Sequence, residues 1–194
     1  MRLQTAIASL TMLLGVSALR GAVVRYELSI TEKIISPTGR RVKALVINDG
    51  IPGPVLRFRV GDTARIRVHN RLPKDETLLH WHGLLLPNIQ DGVPHLTTPP
   101  IPAGKFRDYE FELRHAGTYW YHSHVMFQEE DGMYGALRLL PEEQENTQDE
   151  STILFADFTH EKGSVVQRNL KRDGEYYDLF KDTVQSWLKA FKTG

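Results

Sequence analysis

The sequence contains no cysteine. No disulfide can staple the fold, and no thiolate is on hand as a nucleophile or a metal ligand. Net charge is also missing, because 24 Lys and Arg balance 24 Asp and Glu over 194 residues. The basic field that nucleic-acid binding requires is therefore absent, and no nucleic-acid partner is expected. Apolar runs are short. The one near the N-terminus, centred on residues 10–16, is interrupted by Thr and Ser and falls well below a bilayer-spanning length. No membrane span is expected in the mature chain.

That early run reads as an address. Met1-Arg2 supplies a positive start, and Val16-Ser17-Ala18 offers small residues at cleavage spacing. A signal peptide over 1–18 and a periplasmic or secreted location are expected, with a non-cleaved anchor as the alternative reading of the same run. Export would permit disulfides, yet none can form, so the fold must rely on packing and on any metal it binds.

What the sequence does have is histidine in pairs. Leu79-His80-Trp81-His82-Gly83 and Tyr119-Trp120-Tyr121-His122-Ser123-His124 each sit in an apolar, aromatic-rich run that reads as a buried strand. Alternation along a strand points His80 and His82 the same way, and likewise His122 and His124. Adjacent strands would bring four imidazoles into one small volume. A metal ion is the usual way to satisfy such a cluster, and imidazole suits copper, zinc, iron or nickel.

The rest of the chain is β-rich. Residues 24–30 alternate apolar and polar, 42–47 form an apolar run, and Leu56, Phe58 and Val60 alternate with Arg57 and Arg59. Gly61-Asp62 turns the chain into Ala64, Ile66 and Val68, alternating with Arg65 and Arg67. The pattern predicts a hairpin whose four arginines share one solvated face. A loop over 86–104 carries five prolines. Strands follow at Tyr109, Phe111 and Leu113, at the second histidine pair, and over 135–140. Such spacing without a helical pattern before residue 140 predicts an all-β fold, a Greek-key sandwich or barrel over 23–140. The acidic stretch 141–150 reads as a linker. Residues 151–194 read as the start of an incomplete second domain, with a strand at 151–158 and a helix carrying Phe180, Val184, Trp187, Leu188 and Phe191.

His80-Trp81-His82-Gly83, Asp91-Gly92-Val93-Pro94 and Gly117-Thr118-Tyr119-Trp120-Tyr121-His122-Ser123-His124 together resemble the first cupredoxin domain of multicopper oxidases. Ile51-Pro52-Gly53-Pro54, Gly61-Asp62 and Asn70-Arg71-Leu72 resemble the same family's upstream signature. Asp157-Phe158-Thr159-His160 and the stretch from Leu170 to Tyr177 are similar to the opening of domain two in bacterial copper-resistance oxidases. The resemblance implies copper as cofactor, with His80 at a type 2 site, His82 and His122 on one copper of a type 3 pair, and His124 on the other. It implies a proton-handling role for Asp91 and a packing role for Trp81 and Trp120.

The family reduces O2 to water with electrons from a reducing substrate, entering through a type 1 copper that has a cysteine ligand. With no cysteine, this chain holds no type 1 copper, and its two pairs supply half of the trinuclear histidine set. The expected function is the N-terminal part of such an oxidase, inactive alone, whose partners are the missing C-terminal domains or further copies of itself. A non-enzymatic extracytoplasmic module that sequesters copper is the alternative. A zinc hydrolase has less support, since no carboxylate sits in a recognisable zinc motif. His69, His95, His115 and His160 read as satisfied or exposed side chains, and Glu129, Glu130 and Asp131 as a solvated loop.

Overall fold

A computed structural model of the chain describes residues 21–142, 151–174 and 176–179. Among the described residues eight strands run in order: β1 (Val23–Ile35), β2 (Val42–Ile47), β3 (Gly53–Arg59), β4 (Thr63–Asn70), β5 (Leu79–His82), β6 (Phe106–Glu112), β7 (Gly117–Ser123) and β8 (Tyr134–Leu140). They form two four-stranded sheets, ordered β2-β1-β4-β6 and β3-β8-β7-β5. β1 pairs with β4 and β3 with β8 in parallel, and the remaining ladders are antiparallel. The all-β, cupredoxin-like expectation holds. The signal peptide, residues 143–150 of the linker and the helix expected over 180–191 lie outside the described residues.

Alternating apolar residues face one another between the sheets. Leu28, Ile66, Tyr109 and Phe111 come from the first sheet, and Leu56, Trp81, Tyr121 and Leu137 from the second, all buried. Trp81 is fully buried, its ring 5.1 Å from Tyr109 and 5.6 Å from Phe111, centroid to centroid, across the sandwich. Burial of this kind supplies most of the folding free energy that disulfides cannot supply here.

The hairpin expected around Gly61-Asp62 does not form, because β3 and β4 lie in different sheets. The turn is a corner of the sandwich. Asp62 is buried there, accepting the Ala22 amide at 2.9 Å and the Arg59 amide at 2.7 Å, which ties the corner to the entry of β1. The four arginines therefore do not share a face. Arg65 and Arg67 pair across the β4–β6 ladder with Glu110 and Asp108 at 3.0 and 2.7 Å, whereas Arg57 and Arg59 belong to the other sheet.

Residues 151–158 form no strand, since no described strand pairs with them, and Ile153 and Phe155 are exposed. A helix absent from the sequence expectations, α1 (Gly163–Arg172), follows instead. Its first residue packs so closely on Phe127 that a Cβ there would lie 2.6 Å from the phenylalanine Cβ. No helix among the described residues is long and apolar enough to cross a membrane.

Candidate metal centre

β5 and β7 run antiparallel with His80 opposite His122 and His82 opposite Trp120. Strand alternation turns Leu79, Trp81 and Tyr121 into the core. It leaves His80, His82, Trp120 and His122 together on the outer face of the sheet. Ring nitrogens of His80, His82 and His122 lie within 4.8 Å of one another. His82 Nδ1 is 3.3 Å from His122 Nε2. His124 borders this trio, its ring centroid 5.5 Å from His80 and 5.7 Å from His122, and it is exposed. The fourth imidazole thus sits at the rim, because the β5–β7 ladder ends at Leu79 and Ser123 and no longer fixes the residue that follows.

Backbone and side-chain partners orient the rings. His80 Nδ1 lies 2.7 Å from the Asp91 carbonyl oxygen, so it carries the proton and leaves the Nε2 lone pair free. His122 Nδ1 lies 2.9 Å from the Ser123 carbonyl oxygen and 2.6 Å from Glu129 Oε2, so it too carries the proton, and its Nε2 lone pair faces His82 Nδ1. Burial pushes the His122 pKa down to about 4; the neighbouring imidazoles push the same way against the opposing Ser123 carbonyl. The ring is therefore neutral at neutral pH and offers a lone pair. Partial burial, followed by the charge of Glu130, raises the Glu129 carboxyl above its ordinary range. Two imidazoles with restrained Nδ1–H groups and a third beside them form a donor set that fits copper, zinc, nickel or iron.

The Asp91 loop is built to reach His80. A short 3-10 turn (Asn88–Gln90) precedes it. Gly92 follows with φ +85°, so close to β5 that a Cβ would lie 2.0 Å from the Leu79 carbonyl oxygen. Its amide donates to the Thr98 hydroxyl at 2.9 Å, and that hydroxyl donates to the Ile89 carbonyl at 3.1 Å. The Asp91 carbonyl is the group that holds the ring, while its carboxylate stands 3.5 Å from the same nitrogen. Upstream, buried Asn70 clamps the approach to β5, donating to the Asp75 and Ile101 carbonyls at 2.8 Å and accepting the Leu72 amide at 2.9 Å.

The two tryptophans differ. Trp81 is core, whereas Trp120 stacks on His122 at 4.0 Å and 14°, with His82 5.1 Å away. Two residues beyond the sequence expectations also shape the site. Buried Gln128 accepts the Thr77 and Ser123 hydroxyls at 2.7 and 2.8 Å and donates to the Glu76 carbonyl at 2.8 Å, tying the approach to β5 to the end of β7. Glu129, read from sequence as part of a solvated loop, contacts His122 instead. Its only signal was an acid in the loop after the second pair. The remaining histidines stand apart with partners of their own: His69 with Glu27, His95 with Glu76, His115 with the Gly83 carbonyl and His160 with the Thr38 hydroxyl.

Fold and site together define a two-sheet sandwich carrying an outward-facing imidazole cluster of metal-binding character. Residues 29–144 match the multicopper oxidase family. The chain belongs to that family, whose members are oxidoreductases. It is 43% identical over 165 residues to copper resistance protein A of Pseudomonas syringae pv. tomato, covering 84% of this chain and 27% of that protein. It is 39% identical over 171 residues to copper resistance protein A of Escherichia coli, covering 87% and 28%. Among solved structures, the laccase of Botrytis aclada superposes with a TM-score of 0.58 at 38% identity, over 61% of this chain and 22% of the laccase. The chain thus spans little more than a quarter of the length of these copper-resistance relatives.

Proposed function

We propose that this chain is the copper-binding N-terminal part of a multicopper oxidase, supplying half of the histidine set of a trinuclear copper cluster. The convergence of three ring nitrogens on one sheet face, two of them with their Nδ1 protons held by protein oxygens, carries this reading. His80 is assigned to the type 2 copper, His82 and His122 to one type 3 copper and His124 to the other. From its place at the rim, His124 would share its copper with ligands from outside this chain. Copper in such a cluster supplies the one-electron chemistry that couples oxidation of a reducing substrate to reduction of O2 to water. Asp91 is assigned the passing of protons between solvent and the cluster, a role supported by its side-chain exposure of 29% and its 3.5 Å distance from His80.

The chain has no cysteine and so no type 1 copper ligand of that kind. It is expected to bind copper yet not to turn over oxygen by itself, and to need further domains for activity. Its place is outside the cytoplasm, in the periplasm or secreted, in keeping with the leader-like start and the copper-resistance relatives. An oxygen electrode with a phenolic substrate tests the proposal. The purified, copper-loaded chain should consume no oxygen catalytically, and sustained consumption would contradict the assignment. The second reading, a copper-sequestering module, is favoured by the exposure of His82 and His124, which leaves the trio accessible to metal in this chain alone.

A further inference from the structure

Glu129 lies in the loop from β7 to β8, and that loop is fastened along its length. The Gln128 amide donates to the Val125 carbonyl at 3.1 Å, Asp131 to Phe127 at 3.1 Å, Gly132 to Glu129 at 2.9 Å and Met133 to Gln128 at 3.0 Å. The Leu45 amide of β2 donates to the Asp131 carbonyl at 2.9 Å. Gly132, with φ +118°, sits where a Cβ would lie 2.7 Å from the Leu45 carbonyl oxygen. The buried Gln128 side chain, held by Thr77, Ser123 and Glu76, fixes the residue immediately before Glu129. The backbone under Glu129 is therefore set by its surroundings, and the carboxylate reaches His122 Nδ1 from a fixed base, whereas Glu130 beside it is exposed.

From this geometry we infer that Glu129 is a positioning residue for His122. It takes the Nδ1 proton into a hydrogen bond, which locks the ring and its tautomer, turns Nε2 toward the cluster and strengthens that nitrogen as a metal donor. This rests on the metal-site reading above. Ser123 offers His122 a carbonyl at 2.9 Å as well, but a carboxylate is the stronger acceptor. The opposing ring has a different arrangement, since His80 Nδ1 is held at 2.7 Å by the Asp91 carbonyl and the Asp91 carboxylate stands off at 3.5 Å, against 2.6 Å for Glu129 on His122. The two facing histidines therefore differ in donor strength, with His122 the better partner for a cupric ion. Carboxylate–imidazole–metal arrangements act in this way generally, and losing the outer group costs about 10–100-fold in metal affinity.

The test combines two readouts on the 194-residue chain. Nitrogen-15 NMR of the metal-free protein reports the His122 tautomer, and titration with cupric ion against a competing chelator reports affinity. Glu129→Ala should leave the Nδ1 proton to the Ser123 carbonyl alone, let the second tautomer of His122 become populated and weaken cupric binding about 10–100-fold. Glu129→Gln, which keeps an acceptor without the charge, should retain the tautomer and lose several-fold in affinity. Glu130→Gln should behave as wild type. Unchanged tautomer in Glu129→Ala overturns the inference, whether or not affinity falls. If that variant does not fold, Glu129→Gln decides, and affinity equal to wild type overturns it. His122→Ala separates the two claims. If it abolishes copper binding while Glu129→Ala does not weaken it, the Glu129 role fails and the metal site stands; if it binds copper as wild type, the metal-site reading itself fails.

Discussion

His80 and His122 face each other across the β5–β7 ladder with ring centroids 5.4 Å apart and planes at 83°. Each presents Nδ1 to protein oxygens, His80 to the Asp91 carbonyl from the loop after β5 and His122 to the Ser123 carbonyl at the end of β7 and to Glu129 in the loop beyond it. His122 Nε2 faces His82 Nδ1 at 3.3 Å. The pairing register brings the rings together, and the oxygens of Asp91, Ser123 and Glu129 decide which nitrogen each ring offers.

The Asp91 loop gives a contrast between neighbours. Gly92→Ala places a Cβ against the Leu79 carbonyl and should push the loop away from β5, taking the Asp91 carbonyl from His80. Copper affinity is expected to fall about 10–100-fold. Asp91→Asn leaves that carbonyl in place and should change affinity by less than about threefold, well under a full ligand-orienting effect. Chelator-competition titration of the two variants measures the difference.

Trp120 braces the metal face of the sheet. Stacked aromatic pairs contribute about 0.5–1.5 kcal/mol beyond their buried area. Trp120→Ala should therefore lower copper affinity by up to about tenfold through loosening of His122 and His82, since 1.4 kcal/mol is a factor of ten. Trp120→Phe should restore most of that affinity in the same titration.

Two substitutions test the framework rather than the site. Trp81→Ala empties the centre of the sandwich and should cost about 3–5 kcal/mol of stability in urea denaturation. Asp62→Ala strips two amides at the β3–β4 corner of their acceptor and should cost about 1–3 kcal/mol.

The strands and the histidine faces were legible in the sequence because both follow from period-two alternation. The corner at Gly61-Asp62 was not, since Gly-Asp between two alternating segments looks the same in a hairpin and in a crossing between sheets. Only the Asp62 carboxylate reaching Ala22, far away in sequence, separates the two. Residues 151–158 have the apolar content of a strand, but pairing depends on a neighbour that composition does not reveal. The short α1 is hard to read because it has no capping side chain and carries only Val165, Val166 and Leu170 as apolar residues, over too few turns to set a helical period. Glu129 and Gln128 were hidden for a related reason: their partners, His122 and Thr77, are brought to them by tertiary folding.

Absorption spectroscopy checks the missing thiolate. The cupric form of this chain should show only weak ligand-field bands, because the intense blue colour of type 1 sites arises from a copper–cysteine bond that cannot form here. An intense visible band from the pure chain would contradict the assigned ligands.

The central claim, that His80, His82 and His122 form a copper site in this chain, is tested most directly by cupric titration of wild type beside His80→Ala and His122→Ala. Wild type should take up copper stoichiometrically. Each variant should lose more affinity than the roughly 10–100-fold that follows from removing an outer partner, because an imidazole ligand itself is gone. Copper uptake unchanged in both variants would contradict the account.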